Sequence, residues 1–96
     1  MNVVDMVKFD DKGLVSAIAQ DMTSGTVLML AYMNRETLSE TLEKGVMVYF
    51  SRSRQQRWLK GTTSGHVQKV RELYIDCDGD ALVARCGVCP SDYSSV

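Results

Sequence analysis

Positions 75–80 read Ile-Asp-Cys-Asp-Gly-Asp, three carboxylates and a thiol within six residues and no basic side chain among them. Like charges at that spacing repel one another, and a divalent cation is the simplest partner that relieves the repulsion. If the chain runs extended from Leu73 to Asp80, strand alternation sends Asp76, Asp78 and Asp80 to one face and Cys77 to the other. Hard oxygen ligands are then sorted from a soft sulfur ligand. Clustered carboxylates suit Mg²⁺, which keeps waters or substrate phosphates on its remaining positions, while a thiolate suits Zn²⁺. The competing reading is an acidic turn with Gly79 at its tip and the aspartates solvated, and a bare D-x-D-x-D spacing does not separate the two.

Cys86-Gly-Val-Cys89 has the C-x-x-C spacing that lets two thiolates grip one Zn²⁺. Together with Cys77 they offer three sulfur ligands and leave a fourth position for water, an arrangement that brings the pKa of bound water to about 7. Against this stands a pair of small buried hydrophobes, a common fate of free cysteine. No βαβ pattern surrounds the motif, which counts against a thioredoxin-like redox pair.

The stretch from Ser51 to His66 holds Arg52, Arg54, Arg57 and Lys60 beside hydroxyls and glycines. That composition implies an anionic ligand. Backbone amides around Thr63, Ser64 and Gly65 can form a nest for phosphate, with Lys60 as a point charge and Arg52 or Arg54 as forked donors. The lysine precedes the Thr-Thr-Ser-Gly run, so this is no Walker A loop. A solvated polar turn is the alternative. Trp58 is read either as a stacking platform for a base or as a half-buried core residue. His66, the one histidine, is either an acid/base group or a hydrogen-bonded loop residue.

These residues need elements to hold them. Leu14–Asp21 and Val27–Met33 are apolar runs of strand length around Met22-Thr-Ser-Gly-Thr26, which reads as a hairpin with Gly25 in the turn. Asn34 offers an N-cap oxygen, Glu36 suits the first turn, Leu38 and Leu42 recur at i,i+4, and Gly45 follows as a C-cap. The one prominent helix is therefore expected at about 35–44. Residues 46–50, 67–75 and 81–84 are further strand candidates, and 51–65 reads as a functional loop. The expected fold is a β-rich α+β domain over 1–96, a compact β-sandwich or pseudo-barrel.

At 96 residues such a chain buries only about two thirds of its unfolded surface, so a second copy is expected to complete the core or site. A net charge of −1 argues against a dedicated nucleic-acid binder, whose usual footprint is strongly basic. The N-terminus has no basic and then apolar leader pattern, and no apolar run approaches a membrane span. A cytoplasmic, reducing compartment is expected, and an odd number of cysteines suits metal ligation better than disulfides.

Taken together, "VLMLAYMN", "FSRSR", "WLKGTTSGHVQ" and "DCDGDAL" resemble, in order and spacing, the phosphoribosyl-AMP cyclohydrolase family of histidine biosynthesis. The resemblance spans Leu14 to Leu82. It implies a β-rich homodimer with active sites at the subunit interface and hydrolytic opening of the adenine ring of phosphoribosyl-AMP between N1 and C6. It also implies Mg²⁺ on Asp76, Asp78 and Asp80, and Cys77 as a Zn²⁺ ligand shared with a partner subunit. The family closes on Cys-His-Thr-Gly and a later cysteine, which complete the zinc site. Here Cys89 takes the first of these positions and Pro90 stands where histidine is expected. The last cysteine would fall on Val96, and Cys86 is the expected substitute ligand on the strength of the C-x-x-C spacing, not of the resemblance. A different class, a catalytically impaired or non-catalytic nucleotide- or RNA-binding module with structural metals, is favoured by that tail. The acidic cluster favours the enzyme.

Overall fold

Alternating side chains along 14–21 and 27–34 build a hairpin, as the pattern predicts, in a computed structural model that describes residues 3–60 and 67–89. In chain order the elements are α1 (Val3–Met6), β1 (Leu14–Asp21), β2 (Val27–Asn34), α2 (Arg35–Lys44), β3 (Val48–Ser51), β4 (Gln56–Leu59), β5 (Val67–Ile75) and β6 (Ala81–Cys89). Gly25 takes φ +79 in the β1–β2 turn, a value that glycine reaches without steric cost.

Helix α2 starts and stops where its caps dictate. The Asn34 side chain accepts from the Thr37 amide at 2.8 Å and the Thr37 hydroxyl accepts from the Asn34 amide at 2.9 Å, a reciprocal box that satisfies two amides at the helix start. Gly45, at φ +76, ends it. The buried face is Thr37, Leu38 and Thr41, whereas Leu42 is 39% exposed. The Leu38/Leu42 stripe is thus only half used. Thr41 replaces the second leucine because its hydroxyl accepts from the Val48 amide at 2.9 Å and tethers β3 to the helix.

All six strands form one mixed sheet in the order β4-β3-β2-β1-β6-β5. Every pairing is antiparallel except β1 with β6, which is parallel. The sheet curls into a half-barrel. Val46 bridges Lys69, the Met47 amide donates to the Gln68 carbonyl at 2.9 Å, and the Val70 amide donates to the Gly45 carbonyl at 2.8 Å, so the chain entering β3 reaches round to β5. Of the two expected architectures the curled sheet is observed, and no second sheet exists among the described residues.

The concave side is the core. Val15, Ala17 and Ala19 of β1 and Leu82, Ala84 and Cys86 of β6 face Met33, Met47 and Tyr49, with Leu38 of α2 and Val4 and Val7 closing over them. Tyr49 is fully buried and donates to Gln68 Oε1 at 2.6 Å. Burial pushes its phenol well above the ordinary range, so it stays a neutral donor. Two elements depart from expectation. β4 crosses the segment read as loop, because three of its four residues are exposed and carry no alternating apolar signal. α1 is a single turn too short to leave a periodic pattern.

Candidate functional site

The acidic segment is a turn, not a continued strand. β5 stops at Ile75, the Gly79 amide donates to the Asp76 carbonyl at 3.0 Å, and the Asp80 amide donates to Asp76 Oδ1 at 3.0 Å. Gly79 sits at φ +78 with its carbonyl accepting from the Lys8 amide at 2.7 Å. A Cβ there would lie 2.9 Å from the Met6 carbonyl oxygen, so both conformation and space require glycine. The alternation argument for sorting oxygen from sulfur fails, yet the carboxylates converge for a different reason. The turn curls them together, and ligand oxygens of Asp76, Asp78 and Asp80 all lie within 4.8 Å of one another.

Their electrostatics fit a cation. A hydrogen bond from Asp80 holds the Asp76 carboxyl below its ordinary value, and the same contact with Asp76, reinforced by its negative charge, holds Asp80 above. The opposed shifts reflect mutual repulsion between neighbouring carboxylates, which a divalent ion would offset. Three exposed oxygens at this spacing match the few carboxylates that a hard cation takes while keeping waters.

The thiols do not assemble as the spacing suggests. Cys77 is exposed in the turn, whereas Cys86 is fully buried in the core and its thiol is pushed up to about 11 by burial. Cys86 lies five residues beyond Ala81 in β6, about 16 Å along a strand at roughly 3.3 Å per residue. Two thiolates on one Zn²⁺ are at most about 4.6 Å apart. Cys77 and Cys86 of one chain therefore cannot hold the same ion, and Cys86 is a core residue. Cys89 ends β6, but its side chain lies outside the described residues.

The basic segment is divided by a hairpin. Ser51 pairs with Gln56 and Val48 with Leu59, so Arg52 and Arg54 sit on the exposed turn while Lys60 follows β4 at the opposite end, its amide on the Met47 carbonyl. Lys60 and Arg52 do not converge on one phosphate, because β4 separates them by about 13 Å. Arg57 forks onto Glu40 of α2, which Lys44 also contacts at 2.6 Å. These cations, Arg57 first, hold the Glu40 carboxyl down at about 2, and the pair pins β4 to the helix. Thr63, Ser64, Gly65 and His66 lie outside the described residues.

Trp58 is 40% exposed, its ring 5.3 Å from Tyr49, and it borders a cavity of about 700 Å³ lined also by Lys12, Tyr32, Asn34, Phe50 and Arg52. Three of these, Tyr32, Asn34 and Phe50, share one face of the sheet: Tyr32 pairs with Phe50 and with Ser16, and Ser16 pairs with Ala81. The cavity and the acidic turn are thus at the same end of the sheet, with β1 and β2 between β6 and β3, about 14 Å across three strand spacings. Sequence reasoning missed Lys12, Tyr32, Asn34 and Phe50. The one available signal was that Tyr32 and Asn34 alternate with core residues in β2, which puts an aromatic ring and an amide on the face away from the core.

The description "Phosphoribosyl-AMP cyclohydrolase" belongs to the family model that matches residues 29–91. The chain belongs to that family. A relative of that name from Neisseria meningitidis serogroup C is 61% identical over 82 residues, covering 85% of this chain and 63% of the relative. Another from Chlorobium chlorochromatii is 55% identical over 97 residues, covering 97% of this chain and 71% of the relative. A third, from Methanococcoides burtonii, is 53% identical over 96 residues, covering 96% and 79% respectively. The chain thus spans just under two thirds of the Neisseria relative. Family membership takes in the acidic turn and the Arg52–Trp58 hairpin, both of which fall within the matched residues.

Proposed function

We propose that the chain opens the adenine ring of phosphoribosyl-AMP by hydrolysis between N1 and C6, in the cytoplasm, as a step of histidine biosynthesis. The observation that carries this reading is the convergence of three carboxylates at the end of the sheet that also bears the Arg52–Trp58 cavity. Asp76, Asp78 and Asp80 would hold Mg²⁺ against a substrate phosphate. Arg52 and Arg54 would meet phosphate oxygens, Lys60 would supply a more distant charge, and Trp58 would border the purine. Thr63, Ser64 and Gly65 would add backbone donors, and His66 would move a proton at the purine ring.

Zn²⁺ would be held by Cys77, and when bound it supplies an activated water. Cys89 ends β6, eight residues beyond Ala81, about 26 Å of strand, and the proposed zinc site would draw Cys77 and Cys89 from two copies. A homodimer is proposed on a second ground. Leu30 pairs with Ile18, Ile18 with Val83 and Val83 with Tyr74, giving an apolar row across four strands on the face away from the core. Leu30 is 61% and Tyr74 51% exposed, and exposed rows of this kind mark association surfaces. Leu30→Glu is expected to turn a dimer into a monomer at micromolar concentration in sedimentation velocity. A variant that remains dimeric would remove this face from the interface.

The activity is tested by following loss of the adenine absorbance of phosphoribosyl-AMP with metal-replete and chelated protein. Turnover that chelation abolishes is expected. Absence of turnover in folded, metal-replete protein would overturn the reading.

A further inference from the structure

Arg52 is exposed, yet it is held from two sides. Its guanidinium carbon lies 4.2 Å from the centroid of the Tyr32 ring, stacking distance for a cation on an aromatic face. Its backbone carbonyl accepts from Gln55 Nε2 at 2.8 Å, and Gln55 takes φ +53 to close the turn, a conformation uncommon outside glycine. Among the described residues Arg52 forms no salt bridge. The nearby Asp10 carboxylate accepts through Oδ1 from the Lys12 amide at 2.8 Å and the Leu14 amide at 2.9 Å, and it attracts Arg52 and Lys12 through space without a direct ion pair to Arg52. Lys12 lines the same cavity. Two cations therefore border one cavity, and one of them is pre-set on an aromatic ring.

We infer that Tyr32 is a positioning residue: its ring fixes the Arg52 guanidinium so that the fork faces the phosphate of a nucleotide in the cavity, and it sets the preference for a phosphorylated over an unphosphorylated ligand. Arginine's planar fork matches phosphate geometry, and less freedom is lost on binding when the fork is already oriented. Ring stacking leaves the N–H edge of the guanidinium available to the anion. Phe50 is paired with Tyr32 across β2 and β3, which places its side chain on the same face of the sheet. The inference rests on the reading that the substrate carries phosphate, and it adds a residue whose own chemistry never touches that phosphate.

The test uses AMP and adenosine as probes and the fluorescence of Trp58, the only tryptophan, as reporter from the same cavity. The quantity read is the ratio of the two affinities, which a general loss of packing would not change selectively. The parent is expected to prefer AMP, and Arg52→Ala to reduce that preference by about tenfold or more, the usual weight of a charge-assisted contact. Tyr32→Leu is expected to reduce it about three- to tenfold, while Tyr32→Phe, which keeps the ring, retains it within about twofold. Circular dichroism checks that each variant is folded. A Tyr32→Leu protein with the parent's preference, beside an Arg52→Ala protein that has lost it, would overturn the role of Tyr32 and leave the site standing. Equal losses in Tyr32→Phe and Tyr32→Leu would assign the effect to the hydroxyl and overturn the stacking argument. A parent with no preference for AMP would overturn the phosphate reading of the cavity itself.

Discussion

Asp78→Asn is expected to weaken the magnesium dependence of turnover by about ten- to a hundredfold, the scale on which losses around a metal site are felt, while leaving the fold intact. Asp78 is the carboxylate to change because, among the described residues, it accepts no hydrogen bond that builds the turn, whereas Asp76 caps the Asp80 amide. Its charge contributes to the repulsion within the cluster, so asparagine relieves the metal-free turn and weakens only the loaded one. A magnesium titration of turnover, set beside the thermal midpoint of metal-free protein, separates the two effects. An unchanged magnesium response in a folded variant would dismiss the cluster as a metal site.

The second large effect is on stability. Leu38→Ala is expected to cost about 2–5 kcal/mol out of a total near 5–15 kcal/mol, because Leu38 is fully buried and closes the core from α2. Leu42→Ala, four residues on and 39% exposed, should stay within about 0.5 kcal/mol. Urea unfolding at fixed protein concentration measures both as midpoint shifts at constant slope. Comparable costs for the two variants would mean that α2 packs on another face. Since Glu40 of the same helix anchors Arg57 of β4, loosening α2 should also disturb the hairpin that carries Arg52 and Trp58.

How far the sequence could be read depended on whether a residue's role is set locally. The α2 limits followed from Asn34 and Gly45 because caps act within one turn of chain, and the β1–β2 hairpin followed from alternation around Gly25. The strand from Val67 to Ile75 was also legible as a continuous run. The Asp76–Asp80 segment was legible as a carboxylate cluster, and a turn with Gly79 at its tip was one of the two shapes its spacing allowed. Strand alternation stops at Ile75, and the positive φ of Gly79, which residue order alone does not reveal, curls the carboxylates together. Cys86 could not be told from a ligand by spacing, since only the neighbours it meets across the sheet decide that a cysteine fills a core. Likewise the cavity joins Lys12, Tyr32 and Arg52 through strand pairings distant in sequence, which no single motif contains.

The one parallel pairing has a consequence for how the chain reaches this state. β1 and β2 close on each other across a short turn, as do β5 and β6, but Ser16 meets Ala81 and Asp21 meets Cys86 only after most of the chain has been gathered in. Bringing such remote partners together costs loop entropy before any contact rewards it, and sheets joined this way fold slowly. Until β6 docks, β1 and β6 each present an unpaired edge beside apolar side chains, which invites pairing with other chains. During synthesis β6 is the last of these strands to emerge, so the early hairpin must wait with its edge open. Crowded or hot conditions should therefore trap aggregates during refolding far more readily than they damage molecules already folded.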